Sequence, residues 1–528
     1  MKNIATPKET FKLIQEKMGP YGRTAFLATF IIGLLTHLSI MVSDIPNHDG
    51  LDSIYFDQNM IGSGRWFLTV ACGISSYFSL PWLIGILAIF YISMTSVVLV
   101  SLLRIKDKPL IVAMSGILVT FPAIASNFAY AFTMDGYMLG MLLCVLSVWL
   151  ATRYKWGFIL GAISLGFGMG IYQSYLCTAM LLCIYMTGVI LMEKGKAKDK
   201  VISILKLALT GIIGLGFYAI MLNILMRVQN VTLSDYQGIN DMSQTSSLGL
   251  VGMIKHVYSD FIRFTLNSRV FIPNKIALVA MALLGMAAAI SFIRLMVARK
   301  WYKNPLFYIF TIGLISVVPI AVNAILIISS DVTYHLIMRY TWCYILIIAI
   351  GLISYSEGIL AIIKKKDKKN ISSMVLWGAL IGAGVIAFTY AVTDNIAYSN
   401  MQKKYEKTYA YCVRLADRIE QTDGYYQGIP IAMVGVVGDQ NFPSTDVTMG
   451  VTDNIIGASG DFLLYKGENY QLFFRHYLGT TYNILSDDHV IEFYDTEEYQ
   501  ALTSFPEAGS TKVIDGVLYV KTENQIKE

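Results

Sequence analysis

Apolar stretches of about 20 residues recur along most of the chain and alternate with short polar segments. A helix needs roughly 20 mostly apolar residues to cross the hydrocarbon core of a bilayer. The pattern therefore predicts a membrane all-α fold with about eleven transmembrane helices. We place them near residues 24–43, 82–103, 109–131, 136–152, 156–173, 175–192, 201–226, 276–298, 305–328, 338–361 and 371–393.

A shorter apolar segment, 66–80, follows the first span and ends at Pro81. It has too few residues to cross a bilayer. Counting it as a span would also move each later basic loop to the opposite side of the membrane. We therefore expect an interfacial or re-entrant helix here.

The pattern changes after residue 393. Residues 395–422 carry apolar side chains at helical spacing, whereas Ile429 to Val437 has the composition of a β-strand. Lys512 to Lys521 has the pattern of a β-hairpin with Asp515-Gly516 at its turn. These features predict a small C-terminal α/β domain over residues 394–528.

Basic residues cluster in the segments that follow the even-numbered spans. Because Lys and Arg are enriched in cytoplasmic loops, this distribution predicts a cytoplasmic N-terminal segment, residues 1–23. The first loop 44–81, the large loop 227–275 and the C-terminal domain then lie on the outer side. The basic clusters are residues 104–108, 153–155, 194–200, 299–303 and 364–369.

Composition agrees with a polytopic membrane protein. The chain is 55% hydrophobic and 15% charged, against about 25% charged in an average soluble domain. Residues 394–528 hold 20 Asp/Glu and 10 Lys/Arg, so with +5 overall the rest carries +15. Those positive charges lie mainly in interhelical loops, so nucleic-acid binding is not implied. The six cysteines have no paired spacing that would indicate a disulfide frame or a zinc site.

The first outer loop is the strongest candidate for chemistry. Ionisable groups close to hydrocarbon are costly, so a cluster of them suggests function, although a solvated interhelical loop is the alternative interpretation. Within 23 residues the loop carries Asp44, His48, Asp49, Asp52, Asp57 and Arg65.

Polar residues also stand at the outward ends of later helices. Each alone has the character of an interfacial anchor or a helix cap. Together with Asp44, His48, Asp49, Asp52 and Arg65, we expect them to line one outward cavity. These residues are Asn127, Asp135, Tyr172, Gln173, His335 and Arg339.

Such a cavity would combine a carboxylate base with a guanidinium that neutralises a phosphate. Arg65 and Arg339 are the candidates for the phosphate, since guanidinium binds phosphate in a bidentate manner. A divalent cation such as Mg²⁺ or Mn²⁺ on Asp49 and Asp52 stays open, because two carboxylates at this spacing specify no metal. The chain has no DxD, Walker A or dinucleotide-binding glycine motif, which argues against a soluble nucleotide-sugar enzyme.

Three short segments carry a resemblance to a known family. They are Asp49 in the first loop, Ser63-Gly64-Arg65-Trp66 at its end and Tyr172-Gln173-Ser174. With the basic N-terminus and the number of spans, the chain resembles membrane glycosyltransferases of the C-type (GT-C) fold. It is most similar to the bacterial GtrII-type glucosyltransferase-domain family.

The resemblance implies transfer of a hexose, glucose first, from a polyprenyl-phosphate carrier to a cell-surface glycan. The reaction would take place at the outer face of the bacterial cytoplasmic membrane. Members often carry paired aspartates in the first loop, whereas residue 50 here is glycine, so Asp52 is the candidate second carboxylate. Asp49 is the expected general base. A polyprenyl-phosphate glycosyltransferase and a flippase are implied partners in the same pathway.

A transporter or flippase of lipid-linked glycans is the competing class. The number of helices allows it, but the chain shows no internal repeat and no charge pairs in mid-membrane, which transporters commonly show. The charges cluster towards one face instead, as we expect for a one-sided enzyme.

Overall fold

A computed structural model describes residues 6–522 of the chain, apart from 76, 235–248, 329–333, 364–368, 435–448, 453, 456, 459–462, 465–466, 487–492 and 494–495. Helices account for most of the described residues. The long helices are α1 (Pro7–Met41), α4 (Pro81–Leu103), α5 (Lys108–Thr120), α6 (Pro122–Ala129), α7 (Met134–Arg153), α8 (Gly157–Ile171), α9 (Leu176–Met192), α10 (Ala197–Gln229), α11 (Gly249–Asn267), α12 (Lys275–Ala298), α13 (Pro305–Val322), α15 (Thr341–Ile363) and α16 (Lys369–Glu420). Shorter helices are α2 (His48–Asp52), α3 (Leu68–Gly73), α14 (Ala324–Ile328), α17 (Met449–Thr452), α18 (Gly467–Phe473) and α19 (Glu497–Ala501).

The predicted membrane all-α architecture is confirmed. Among the described residues, nine helices are long and apolar enough to cross a bilayer, and ten if the bent pair α5–α6 is one span. The one predicted span outside this set is 156–173, which corresponds to α8, an apolar helix of 15 residues. It falls short of the length that a span needs, because the chain turns at Tyr172.

The first helix is broken near its start. Gly19 adopts a left-handed backbone with φ +63° and Pro20 follows, so α1 changes direction there. The polar part before the break is thus separated from the apolar part after it.

Helices α7 and α8 pack closely because small residues line their contact. A Cβ atom on Gly161 would collide with the carbonyl oxygen of Ser147. One on Gly168 would lie 2.5 Å from Cys144 Sγ. Glycine allows this close packing because it has no side chain at the contact.

The segment after the first loop forms α3, a helix of only six residues that packs against α7. Its Ala71 and Cys72 are buried, and a Cβ on Gly136 of α7 would lie 2.7 Å from Cys72 Sγ. The apolar segment 66–80 is therefore a short packed helix and not a span, as its length predicts.

The C-terminal part joins the membrane part through one continuous helix. Helix α16 runs for 52 residues, so the predicted boundary at residue 394 lies within it. A four-stranded sheet follows, formed by β1 (Pro430–Val434), β2 (Asn483–Ile484), β3 (Thr511–Ile514) and β4 (Val517–Lys521) in the order β2-β1-β4-β3.

The sheet combines parallel and antiparallel pairs. Strand β1 is parallel to β2 and to β4, whereas β3 and β4 form the predicted antiparallel hairpin. Asp515 and Gly516 have φ angles of 49° and 79° at its turn, as a two-residue hairpin turn of this type requires.

The first outer loop is anchored in the C-terminal core. Leu51 of α2 is 1% exposed and belongs to the same apolar cluster as Leu415, Tyr470 and Phe473. Helix α2 packs against α18. The two parts of the chain are therefore held together by an apolar contact as well as by α16.

We expect Leu51→Ala to weaken this contact. Removing a buried leucine side chain costs about 2–5 kcal/mol, so the apparent Tm of the detergent-solubilised protein should fall. Tyr55→Ala is the matched control, because Tyr55 is an exposed residue of the same loop and its removal should leave the Tm nearly unchanged. An equal Tm for Leu51→Ala and wild type would contradict the anchoring role.

Candidate active site

The end of the first loop is held by two hydrogen bonds that side chains of neighbouring elements donate to its backbone carbonyl groups. Gln173, in the turn between α8 and α9, donates from Nε2 to the Ser63 carbonyl at 2.8 Å. Tyr218 of α10 donates from Oη to the Gly64 carbonyl at 3.0 Å. Gly64 has φ +75°, and a Cβ there would collide with the Gln173 amide, so this position requires glycine.

Trp66 fixes the same segment from its other side. Its ring packs against Phe167 of α8 at 5.6 Å and Phe217 of α10 at 6.3 Å between centroids. Gly170 leaves the room for it, since a Cβ there would lie 2.6 Å from the indole. The backbone N–H of Phe67 also donates to the Gly170 carbonyl at 2.8 Å.

With the segment fixed in this way, the Arg65 side chain contacts two tyrosines. Its Nη1 donates to Tyr137 Oη at 3.2 Å, and its Cζ lies 5.0 Å from the centre of the Tyr172 ring. The rings of Tyr137 and Tyr172 are themselves stacked at 4.8 Å. Arg65 is only partly buried, and its preoriented guanidinium stands where the start of α7, the end of α8 and the start of α9 meet.

Arg339 has a different environment. Its Nη1 and Nη2 donate to the two carboxylate oxygens of Asp260 at 2.7 and 2.9 Å, and both side chains are buried. Its Nε donates to the Tyr334 carbonyl at 3.0 Å. The guanidinium also stacks on the Tyr334 ring at 3.8 Å.

The Arg339–Asp260 pair therefore ties α11 to the start of α15. For Arg339 to bind a phosphate, as the sequence predicts, the pair would have to open. The sequence analysis did not identify Asp260. The signal that could have found it is an acidic residue on the apolar side of α11, between the buried Val257 and Phe264.

The two arginine regions are neighbours. The Gln173–Tyr175 turn contacts the Leu336–Arg339 turn. Tyr334 lies close enough to Tyr172 and Arg339 to interact electrostatically with both. His335 caps the start of the Leu336–Arg339 turn and is partly buried. The structure thus brings together Arg65, Tyr172, Gln173, His335 and Arg339.

Asn127 and Asp135 lie deeper in the protein. Both are fully buried. Asn127 Nδ2 donates to the Ala123 carbonyl of its own helix at 2.7 Å, and Asp135 Oδ1 accepts from the Gly136 N–H at 2.8 Å. Their role as cavity residues stays a prediction.

The first-loop aspartates lie beside the C-terminal domain. Asn47 caps α2 by accepting the Gly50 N–H at 2.7 Å, and Asp49 and Asp52 have exposed side chains on this helix. His48 begins α2, but its side chain is outside the described part of the structure. Asp44 precedes the helix and is exposed, and partial desolvation by the neighbouring protein raises the pKa of its carboxyl.

A metal site is not visible from geometry within the described ranges. No group of three or more His, Cys, Asp or Glu side chains there is arranged to hold an ion. The exposed Asp49 and Asp52 would supply two carboxylates at most. A metal on this pair stays a prediction.

Fold and site together define a polytopic membrane protein in which Arg65 and Arg339 lie at two neighbouring turns between helices. The family model described as "Glucosyl transferase GtrII" matches residues 38–346, which is more than half of the chain. The chain belongs to this glucosyltransferase family. No curated protein and no solved structure gives a significant match.

The match begins before the first loop and ends just after Arg339, so it contains every candidate site residue. The C-terminal domain lies beyond it. Membership of the family makes the protein a membrane glycosyltransferase and so implies a sugar donor, an acceptor and a lipid bilayer around its apolar helices.

We expect Asp260→Ala to destabilise the protein strongly. It leaves the buried Arg339 charge uncompensated, which costs about 3–5 kcal/mol. The double variant Asp260→Leu/Arg339→Met removes both charges and should recover most of the loss. Apparent Tm values of the three proteins test this. Equal stability of Asp260→Ala and wild type would contradict the structural role of the pair.

Proposed function

We propose that the protein transfers a hexose, most simply glucose, from a polyprenyl-phosphate carrier to a cell-surface glycan. The reaction takes place at the outer face of the bacterial cytoplasmic membrane. Family membership supports the glucosyl transfer. The proposal of a lipid-phosphate donor is supported by one observation. The Arg65 guanidinium is held by Tyr137 and Tyr172 at the end of a membrane helix bundle.

Asp49 is the proposed general base. It takes the proton from the acceptor hydroxyl as that oxygen attacks the anomeric carbon of the donor. The bond from the anomeric carbon to the phosphate oxygen breaks, and the configuration at this carbon is inverted. The lipid phosphate leaves with the bonding electron pair, and Arg65 stabilises the negative charge that develops on it.

An apolar groove lies in the half of the helix bundle that adjoins the basic segments 194–200 and 299–303, where Lys200 and Trp301 also line it. It has a volume of about 650 Å³ and lies between α9, α12 and α13, with Phe292, Phe310 and Leu314 among its walls. It extends along α13 as far as Val318. Because this groove is at the end of the helices opposite Arg65, it would hold only the distal part of an isoprenoid chain whose phosphate lies at the outward end.

The proposed orientation rests on where positive charge gathers. Lys17, Arg104 and Lys106 line one cavity of about 530 Å³ between α1, α4 and α7. The N-terminal segment and the loop after α4 therefore share one end of the helices. That end is the cytoplasmic one under the positive-inside rule, which leaves the first loop and the C-terminal domain outside.

In this setting two other enzymes complete the pathway. A polyprenyl-phosphate glycosyltransferase on the cytoplasmic side has to make the donor. A flippase then has to move it to the outer leaflet. The released polyprenyl phosphate is the second product.

We expect Asp49→Asn to reduce the transfer rate by about 10²- to 10⁴-fold, because an amide cannot accept the proton. The rate is measured with labelled polyprenyl-phosphate-hexose and purified, correctly folded protein. Asp57→Asn is the matched control, since Asp57 is exposed in the same loop and its carboxylate accepts the neighbouring Asn59 N–H. Wild-type transfer by Asp49→Asn would remove Asp49 from the mechanism.

We further expect purified protein to release labelled hexose from polyprenyl-phosphate-hexose, by hydrolysis or by transfer to added polysaccharide. A rate that is unchanged by EDTA would support a base without a metal. A rate abolished by EDTA and restored by Mg²⁺ or Mn²⁺ would make Asp49 and Asp52 metal ligands instead. No release, together with movement of the lipid across liposomes, would contradict the transferase and indicate a flippase.

A further inference from the structure

A cluster of aromatic rings lies where the membrane part meets the C-terminal domain. Tyr405 of α16 packs against the apolar cores of both parts. Its ring centre lies 6.3 Å from that of Tyr409, one helical turn further on, and 5.5 Å from that of Tyr477. The ring of Phe473 packs against the cluster, with its centre 5.1 Å from that of Tyr477.

The three tyrosines are accessible. Tyr409 is 40% exposed, and Tyr405 and Tyr477 are partly buried. Phe473 is fully buried and forms the floor. None of the three hydroxyl groups makes a hydrogen bond to another residue within the described part of the chain. Apolar ring faces and unused hydroxyl groups therefore occur side by side on one surface.

A carboxylate from the first loop stands beside these rings. Asp44 lies close enough to Tyr405 and Tyr477 to interact electrostatically with both phenols. Burial raises the pKa of the Tyr477 phenol, and the Asp44 charge raises it further. Asp44 forms no hydrogen bond or ion pair with any residue that the structure describes.

Sugars need this combination of groups. One face of a pyranose ring presents C–H bonds, which pack on the electron-rich face of an aromatic ring. Its hydroxyl groups donate strong, charge-assisted hydrogen bonds to a carboxylate. A lone aromatic patch would fit many apolar partners, and a lone aspartate would fit water or a cation. The two together favour a neutral saccharide.

The position relative to α2 adds a second reason. Phe473 ends α18, and α18 packs against α2, the helix that carries Asp49 and Asp52. Leu51 fixes this contact by inserting into the C-terminal core. A saccharide on the tyrosine cluster would thus lie on the same surface as the proposed general base.

We propose that Asp44, Tyr405, Tyr409 and Tyr477 form a binding site for a sugar unit of the acceptor glycan, here called the junction site. The identification of this saccharide as the acceptor rests on the proposed function, whereas saccharide binding itself does not. It gives the C-terminal domain a role outside the family match, namely to hold the acceptor beside the first loop. The donor would bind separately, at Arg65.

Binding is measured without catalysis. The probe is the neutral polysaccharide purified from the envelope of the producing cells, titrated into purified full-length protein in detergent. We expect Tyr409→Ala and Asp44→Asn to weaken binding about tenfold or more, since each loses a stacking or a charged hydrogen-bonding partner. Tyr409 is exposed enough that its removal should leave the fold intact.

Tyr426→Ala is the matched control, because Tyr426 is an exposed tyrosine of the C-terminal domain outside the junction site. It should bind the polysaccharide like wild type. In the transfer assay, Tyr409→Ala should raise KM for the polysaccharide but not KM for the lipid-linked donor. Unchanged binding in both junction variants, or an equal loss in Tyr426→Ala, would overturn the junction site.

The two proposals fail separately. If wild-type protein binds the polysaccharide through Tyr409 and Asp44 but turns over no lipid-linked hexose, the junction site stands and the donor chemistry is wrong. If it turns over the donor but the junction variants bind and transfer like wild type, the proposed function stands and the junction site is wrong.

Discussion

The Gln173 side chain makes the interaction on which the rest of the site depends. It lies at the break between two apolar helices and donates to the Ser63 carbonyl of the first loop at 2.8 Å. A backbone carbonyl buried without a partner is costly, so this bond fixes where the loop enters the helix bundle. Arg65 and Trp66 follow two and three residues later. Their positions against Tyr137 and Phe167 are consequences of that one attachment.

The first loop then leads away from this attachment in the direction of the C-terminal domain. Its other half is held by Leu51 in an apolar core that also contains β1 and the end of α16. A loop anchored at both ends loses little further entropy when it binds a substrate. The loop therefore has the rigidity that a proposed general base and a proposed phosphate-binding arginine both need. Helix α16 supports the same arrangement because it belongs to both parts.

Charge is used differently at the two arginines. Arg339 is paired with Asp260 in a buried, bidentate contact that fixes α11 on the bundle. Arg65 is partly buried, and its guanidinium donates to the Tyr137 hydroxyl and lies over the Tyr172 ring. The same residue type thus forms a buried ion pair at one site and contacts two tyrosines at the other. Spacing along the chain cannot distinguish them, because the partner Asp260 is 79 residues from Arg339.

The sequence by itself determined the membrane character, the positions of the apolar helices, the short helix after Trp66 and the C-terminal hairpin. Each of these follows from local sequence. The length and hydrophobicity of a segment decide whether it can cross a bilayer, and the residue types at a two-residue turn decide whether a hairpin forms. Arg65, Tyr172 and Gln173 were also found as candidates, since polar residues at apolar helix ends are conspicuous. Only the tertiary structure joined Gln173 to Ser63, paired Arg339 with Asp260 and placed Asp44 beside Tyr405 and Tyr477. These contacts connect residues far apart in the chain, and such pairs depend on how helices pack and not on any local pattern.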